Sequence, residues 1–181
     1  PTRDHTERML GGFGYAVRRD GPTATLRGGG TLSGGPLDVP ADISSAAFFL
    51  VAASITPGSN LVLRGVGINP SRTGILDALG AMGADIEVLN HREVSGEPMA
   101  DLHVRCAQLS GTEISGGLVP RMIDEVPVLA VAASFANGVT TVRDAAELRV
   151  KESDRIATTV EGLRRLSVDA RETPDGMVIR G

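Results

Sequence analysis

Aromatic side chains are scarce in this sequence. Its 181 residues include no tryptophan, one tyrosine and four phenylalanines, together 3% of the chain. Proteins that hold single-stranded nucleic acid stack the bases on aromatic side chains, and nucleic-acid-binding domains carry basic patches. Here the formal net charge is −4. We therefore expect no nucleic-acid partner, and any anion site must be built from a few local cations.

Cysteine and histidine are also rare. Cys106 is the single cysteine, so neither an internal disulfide nor a thiolate metal cluster can form within the chain. The three histidines are scattered without zinc-ligand spacing. We predict no metal and no cofactor. Cys106 alternates with Leu102 and Val104 in a strand-like run, which predicts a buried small side chain.

Long hydrophobic runs are absent as well. No segment approaches the length of a membrane-spanning helix, so we predict no membrane partner. Hydrophobic residues make up 41% of the chain and charged residues 22%, which is typical of a globular protein. We expect a cytoplasmic location. The sequence starts at Pro1 inside a helical pattern, so we interpret it as part of a longer chain and leave a plastid location open.

An internal repeat with a period of about 80 residues organises the chain. Residues 51–54, Val-Ala-Ala-Ser, recur at 131–134, and a glycine follows each copy, at Gly58 and Gly138. Helix-like and strand-like segments alternate within each copy. This pattern predicts repeated βαβαββ modules in a mixed α/β (α+β) fold. Because helices that are apolar on all faces are buried helices, we expect these helices in the core.

The local patterns predict the following elements, with Asp42 as the N-cap of the second helix and the glycine- and proline-rich residues 28–40 as a hinge. Helices are expected at residues 4–13, 46–55, 73–82, 128–135 and from 152 onward, and strands at 15–17, 23–26, 61–64, 85–89, 101–106 and 140–143.

A charged segment at residues 147–155 carries six charged side chains in nine positions, just before a helical pattern. Counted as the first turn of that helix, Lys151, Glu152 and Arg155 lean to one side. Cations at a helix start oppose the helix dipole but suit a phosphate or carboxylate ligand. The alternative is a solvated helix start with local ion pairs.

Three segments together resemble one enzyme family. Arg-Val-Lys-Glu-Ser-Asp-Arg at 149–155 resembles the signature of 5-enolpyruvylshikimate-3-phosphate (EPSP) synthases. Thr-Arg-Asp-His-Thr-Glu at 2–7 and Met-Ile-Asp-Glu-Val-Pro at 122–127 agree with it. Three matches in order, over nearly the whole chain, are far more specific than one.

The resemblance implies an enolpyruvyl transferase fold with two domains of repeated modules, in which the helices pack inside and the sheets lie outside. Residues 1–40 would form the tail of the first domain, on the shikimate-3-phosphate side, plus the hinge. Residues 41–181 would form two of the three modules of the second domain. A missing third module predicts exposed apolar surface on helices 46–55 and 128–135.

The implied reaction transfers the enolpyruvyl group from phosphoenolpyruvate to the 5-hydroxyl of shikimate-3-phosphate, giving EPSP and phosphate in aromatic amino-acid biosynthesis. The partners would be these two small molecules. The parent protein is expected to be a monomer, whereas this chain alone is expected to be inactive and to self-associate. Two alternatives stay open: the sister transferase acting on UDP-N-acetylglucosamine, and a non-catalytic repeat domain used for binding, whose charged residues would be scattered.

The resemblance also assigns roles to residues. Asp124 would act as base on the 5-hydroxyl, although an aspartate before an apolar helix is also a plain N-cap. Lys151 would lie between phosphoenolpyruvate and the attacking hydroxyl. Glu152 would protonate the methylene carbon, for which burial must raise its pKa. Arg155 would grip phosphoenolpyruvate with its planar fork.

Near the start of the chain, Arg3 would bind the phosphate of shikimate-3-phosphate, with a hydroxyl from Thr2. Other charged residues are interpreted structurally. We predict local ion pairs for Glu147, Arg149 and Asp154, and plain surface charges for Arg72 and Arg121.

Overall fold

The computed structural model describes residues 2–181, and Pro1, the first residue of the predicted N-terminal segment, lies outside the described residues. Over this range the chain forms five α-helices and nine strands. The helices are α1 (His5–Gly12), α2 (Ile43–Ile55), α3 (Gly74–Ala81), α4 (Val126–Ala133) and α5 (Arg155–Arg165). The strands are β1 (Val17–Asp20), β2 (Thr23–Leu26), β3 (Asn60–Gly67), β4 (Asp85–Val94), β5 (Glu97–Arg105), β6 (Glu113–Ile114), β7 (Val139–Val142), β8 (Asp169–Thr173) and β9 (Gly176–Arg180).

Two units of the same topology make up most of the structure. In the first unit, residues 41–105, the strands lie in the order β3-β5-β4, and Ala41 bridges Val66 of β3 in parallel. In the second unit, residues 113–180, the order is β6-β7-β9-β8, with β6 parallel to β7 and the other pairs antiparallel. The Ala41 bridge therefore occupies the place of β6. The repeated βαβαββ module predicted from the sequence is confirmed.

The core lies between the two units. Helix α2 packs against α4, and α4 packs against α5. Leu50 on α2, Leu129 on α4 and Ile156 on α5 are completely buried, within one hydrophobic cluster that draws on both units. The apolar helices are internal, as predicted, because neither unit can cover its own helices with a single sheet.

The second helix begins as the sequence predicts. The Asp42 carboxylate accepts a hydrogen bond of 2.8 Å from the backbone N–H of Ser45, so it caps α2. Burial alone would raise the pKa of Asp42, but hydrogen bonds from the backbone and hydroxyl of Ser45 hold that pKa below its usual value.

Two local predictions were wrong. The first strand runs over Val17–Asp20 rather than 15–17, because a tight turn places Asp20 opposite Thr23 and thus pairs β2 with these residues. Cys106 is only partly buried, because β5 ends at Arg105 and the chain leaves the sheet there.

The N-terminal segment, residues 2–40, docks on the first unit through polar contacts. Helix α1 has no buried residue, and residues 28–40 form no helix or strand. Asn69 donates to the Asp4 carboxylate at 2.7 Å, and Arg8 reaches the backbone carbonyl of Gly96 at 3.4 Å. Within residues 2–181, no helix has the length and apolar character needed to cross a bilayer.

An exposed apolar face runs over α2 and the end of α4. Phe48 and Phe49 are 64% and 58% exposed, Phe135 is 60% exposed, and Val131 is 39% exposed. The exposed surface predicted on these two helices is confirmed. Neighbouring apolar side chains in water mark a surface that lacks a partner. That a third module covers this face stays a prediction.

We predict that this face makes the isolated chain self-associate and bind a hydrophobic dye. The triple substitution Phe48→Ser, Phe49→Ser and Phe135→Ser should reduce both effects, because it removes most of the exposed apolar area. Since the three side chains are largely exposed, the free energy of unfolding should change by no more than about 0.5 kcal/mol per site. Sedimentation velocity and dye fluorescence measure the two effects.

The matched control is Leu166→Ser, which removes a side chain that is 77% exposed away from this face. It should leave association unchanged. A wild-type chain that sediments as a clean monomer and binds no dye would contradict the prediction.

Candidate functional site

Asp124 lies in a short 3₁₀ turn, Ile123–Glu125, immediately before α4. Glu125 occupies the N-cap position of α4 and makes no capping hydrogen bond with its side chain. The alternative interpretation of Asp124 as a plain N-cap is therefore wrong. Counted back from the shared Val-Ala-Ala-Ser segment, Ser44 is the counterpart of Asp124. In the second unit this 3₁₀ turn occupies the place that the first turn of α2 has in the first unit. The Asp124 carboxylate therefore faces groups outside the helix.

Three cations converge on the Asp124 carboxylate. Arg155 Nη1 lies 3.2 Å from Oδ1, Lys151 Nζ lies 3.8 Å from the same oxygen, and Arg3 Nη2 pairs with Oδ2. Asp124, Lys151 and Arg155 are 24–28% exposed at their side chains, and Arg3 is 43% exposed. The contacts of Lys151 and Arg155 are partly buried, so water screens them less than it screens an exposed ion pair.

The charged segment does not start a helix as predicted. Helix α5 begins at Arg155, and Asp154 caps it by accepting a 3.0 Å hydrogen bond from the N–H of Ala157. Lys151 and Glu152 precede the helix in non-helical backbone. Because Asp154 is the N-cap, α5 begins at Arg155 and not at Glu152 as predicted. The side chains of Lys151, Glu152 and Arg155 nevertheless lie in one cluster.

Glu152 joins the cluster through Arg155. Its carboxylate accepts hydrogen bonds from Arg155 Nε at 2.9 Å and Nη2 at 2.8 Å, and its side chain is 68% exposed. The pKa of Glu152 is lowered by a hydrogen bond from its own backbone N–H and by the Arg155 guanidinium. The hydrogen bond to Glu152 in turn raises the pKa of Arg155. These contacts therefore favour the ionised form of Glu152, whereas a proton donor needs the neutral acid.

Arg3 reaches the cluster from the N-terminal segment. Its backbone lies in the left-handed region, with φ of 59°, and its N–H donates to Ser71 Oγ at 3.0 Å. A non-glycine residue in this region is strained, and the surrounding contacts hold it there. The neighbouring Thr2 is exposed, and across the described residues its hydroxyl makes no hydrogen bond. The structure therefore brings Arg3, but not Thr2, to Asp124.

The local ion pairs predicted around the charged segment are present. Arg149 pairs with Asp154 at 2.7 Å and with Glu172 at 3.1 Å, and Lys151 pairs with Glu147 at 3.0 Å. The Arg149 contacts tie the start of α5 to β8. The segment thus combines structural pairs with the side chains that face Asp124.

The sequence did not predict the contact between Arg72 and Glu125, which lie next to the cluster. Arg72, interpreted as a surface charge, is only 16% exposed at its side chain and lies 3.6 Å from the Glu125 carboxylate, which is 2% exposed. The Glu125 carboxylate also accepts a hydrogen bond from Ser44 Oγ. The apolar neighbours Ile123 and Val126 were the available signal that Glu125 is buried. Nothing in the sequence pointed to its partner, 53 positions earlier.

Arg121, also interpreted as a surface charge, makes structural contacts. It donates to the Pro70 carbonyl at 2.8 Å and to Thr73 Oγ1 at 3.1 Å, and pairs with Asp77 at 2.8 Å. These contacts join the segment before Asp124 to the loop before α3.

A cleft of about 350 Å³ lies beside the cluster, between α1, residues 37–43 and the first sheet. Its lining is largely apolar, and Arg72 and Asn69 supply part of its polar surface. Asp124, Lys151 and Arg155 do not line it. We place the candidate site at the charge cluster because three cations meet on one carboxylate there.

Comparisons with known proteins agree on one family. A model of the EPSP synthase family (3-phosphoshikimate 1-carboxyvinyltransferase) matches residues 1–181. A 3-phosphoshikimate 1-carboxyvinyltransferase of Desulfitobacterium hafniense is 61% identical over 180 residues, which are 99% of this chain and 41% of that protein. The same-named protein of Alkalilimnicola ehrlichii is 62% identical over 181 residues, 100% of this chain and 41% of that protein.

Solved structures give the same result. An EPSP synthase structure from Acinetobacter baumannii matches with a TM-score of 0.97 and 52% identity, covering 100% of this chain and 41% of that one. The enolpyruvyl transferase NikO from Streptomyces tendae matches with a TM-score of 0.65 and 19% identity, covering 95% and 38% respectively, which shows the fold alone. This chain spans about two fifths of the length of the relatives it matches.

We predict that Glu152 titrates below the usual range of a glutamate in the ligand-free chain, because its backbone N–H and Arg155 both favour the carboxylate. A carboxyl group with a lowered pKa stabilises the fold above its unfolded-state pKa. That stabilisation is lost as the pH falls through the lowered folded-state pKa. A ¹³C NMR titration of the side-chain carboxyl group measures this directly.

Arg155→Met should return the titration of Glu152 towards the usual range. The control is Arg165→Met, which removes the exposed partner of Glu161 on the same helix and should leave Glu152 unchanged. A wild-type Glu152 that titrates at or above the usual glutamate value would show that these contacts do not persist in solution.

Proposed function

Because this chain belongs to the EPSP synthase family, we propose that it supplies a large part of the active site that transfers enolpyruvyl from phosphoenolpyruvate to the 5-hydroxyl of shikimate-3-phosphate. The observation that carries the proposal is the convergence of Arg3, Lys151 and Arg155 on one carboxylate. Both substrates are anions, and guanidinium and ammonium groups are the natural partners of phosphate and carboxylate oxygens.

Arg3 would bind the phosphate of shikimate-3-phosphate. Its side chain is 43% exposed and pairs with the Asp124 carboxylate, so the remaining N–H groups of the guanidinium can donate to another anion. Thr2 immediately precedes Arg3. Its hydroxyl would reach the phosphate only if this segment moves, because among the described residues that hydroxyl makes no hydrogen bond to the cluster.

Asp124 and Lys151 would act on the attacking hydroxyl. A 5-hydroxyl placed between them would give its proton to Asp124 while its oxygen bonds to the central carbon of phosphoenolpyruvate. Lys151, 3.8 Å from the Asp124 carboxylate, would stabilise the negative charge that develops on the attacking oxygen. The resulting tetrahedral adduct then loses phosphate and a methyl proton to give the enol ether.

Glu152 would deliver the proton that the methylene carbon gains in the addition step. In the ligand-free chain its contact with Arg155 keeps it ionised. Phosphoenolpyruvate bound to the Arg155 fork would compete for that contact, and exclusion of water would disfavour the remaining charge. Substrate binding would thereby raise the pKa of Glu152 towards the value that a general acid needs.

The two alternatives are less well supported. A non-catalytic repeat domain predicts scattered charges, whereas Glu152 contacts Arg155, which contacts Asp124. For the transferase acting on UDP-N-acetylglucosamine, the names of the relatives at 61–62% identity favour the shikimate enzyme instead. We further propose that residues 1–40 belong to a first domain plus hinge, and residues 41–181 to two of three modules of a second. A monomeric, cytoplasmic parent protein stays a prediction.

We predict that the isolated chain binds shikimate-3-phosphate weakly, with a Kd on the order of 1 mM, and releases no measurable phosphate from a mixture of both substrates. The double variant Arg3→Ala, Lys151→Ala should lower the affinity at least about tenfold, because two charge-assisted contacts are lost. Calorimetric titration at low salt measures the affinity.

The matched control is Arg143→Ala, Arg180→Ala, which removes the same charge from two exposed sites, 59% and 65% exposed. Equal losses in both double variants would reduce the binding to a net-charge effect and contradict the proposed site. Phosphate release by the pure chain would contradict its predicted inactivity.

A further inference from the structure

The buried ion pair between Arg72 and Glu125 lies directly behind Asp124. Glu125 is 2% exposed, and Arg72 Nη2 donates to Ser44 Oγ at 2.7 Å while the Ser44 hydroxyl donates to the Glu125 carboxylate. The three side chains come from α2, from the loop before α3 and from the turn before α4. They therefore join the first unit to the backbone that carries Asp124.

A buried pair of this kind contributes little net stability, because the loss of hydration offsets the attraction between the charges. Its geometric effect is different. The buried Glu125 side chain finds its polar partners in Arg72 and Ser44, so these contacts restrict the position of the turn Ile123–Glu125 relative to α2. Asp124, the preceding residue, takes its place from that turn.

The loop that carries Arg72 holds the same turn from a second side. Arg121 donates to the Pro70 carbonyl and to Thr73 Oγ1. At Gly74, a Cβ atom would come within 2.9 Å of the Met122 Cβ, so the start of α3 lies against this segment with no room for a side chain. Residues 69–74 and 121–125 are thus in direct contact along their length.

The same loop also holds Arg3. Ser71 Oγ accepts the hydrogen bond from the Arg3 N–H, and Ser71 is itself fixed because its N–H and hydroxyl both donate to Asn69 Oδ1, at 2.9 and 2.8 Å. Both partners of the Arg3–Asp124 ion pair are therefore held by one loop, which contributes no side chain to the pair itself.

We propose that Arg72, acting through Glu125 and Ser44, is a positioning residue that places the Asp124 carboxylate among its three cations. The inference rests on the proposed function for its consequence in substrate binding, but its geometric part concerns the ligand-free chain alone. Arg72 lies behind the turn and needs no contact with either substrate.

The test follows the guanidinium Nε–Hε NMR signals of Arg3 and Arg155 in chains labelled with ¹⁵N-arginine, assigned with Arg3→Lys and Arg155→Lys. The Asp124→Asn variant gives the signal positions that result when the carboxylate charge is lost. In Glu125→Gln, which keeps the shape and an acceptor for Ser44, both signals should move towards those positions. The affinity for shikimate-3-phosphate should fall about tenfold, because the cation cluster is displaced.

The double variant Arg72→Met, Glu125→Gln leaves no unpaired buried charge and decides the outcome if a single variant fails to fold. Ile179→Val, a buried change in the second sheet, is the control for a general loss of stability. Unchanged Arg3 and Arg155 signals in the folded double variant would overturn the proposal, and so would equal shifts in Ile179→Val. Absence of shikimate-3-phosphate binding by the wild-type chain would instead count against the proposed function.

Discussion

One carboxylate holds the charge cluster together. Arg3 comes from the N-terminal segment, whereas Lys151 and Arg155 come from the charged segment, and the three cations would repel one another because all three lie within 4 Å of the same carboxylate. The Asp124 carboxylate lies between them and pairs with them through both of its oxygens. The approach of the N-terminal segment to the second unit therefore depends on a single negative charge, placed by a 3₁₀ turn where the related helix has an ordinary first turn.

Each cation of the cluster contacts at least one carboxylate of the chain itself. Arg155 is shared between Asp124 and Glu152, and Lys151 between Asp124 and Glu147. Binding of an anionic ligand is thus an exchange of one set of anions for another, whose net gain is smaller than the number of new contacts suggests. The same exchange links binding to protonation at Glu152, because the Arg155 guanidinium helps to keep the pKa of that carboxyl below its usual value.

Sequence reasoning reached the parts of this structure that local spacing encodes. The apolar helices, the cap at Asp42 and the repeat were predictable because each depends on residues close together in the chain or on a recurring segment. The start of α5 was misplaced because Asp154 caps it, a choice that charge spacing does not reveal. Arg72 and Glu125 were missed because their partnership is tertiary, and an arginine in a polar loop has no local mark of burial.

The pairing of strands within each unit has a mechanical consequence. Over the described residues every sheet is built from strands of one unit, and no ladder runs from the first sheet to the second. Helix packing, side-chain networks and the backbone hydrogen bonds of the connecting residues 107–111 resist sliding of one unit along the other. A small shear at this boundary would alter the spacing of the charged groups without breaking any strand pair.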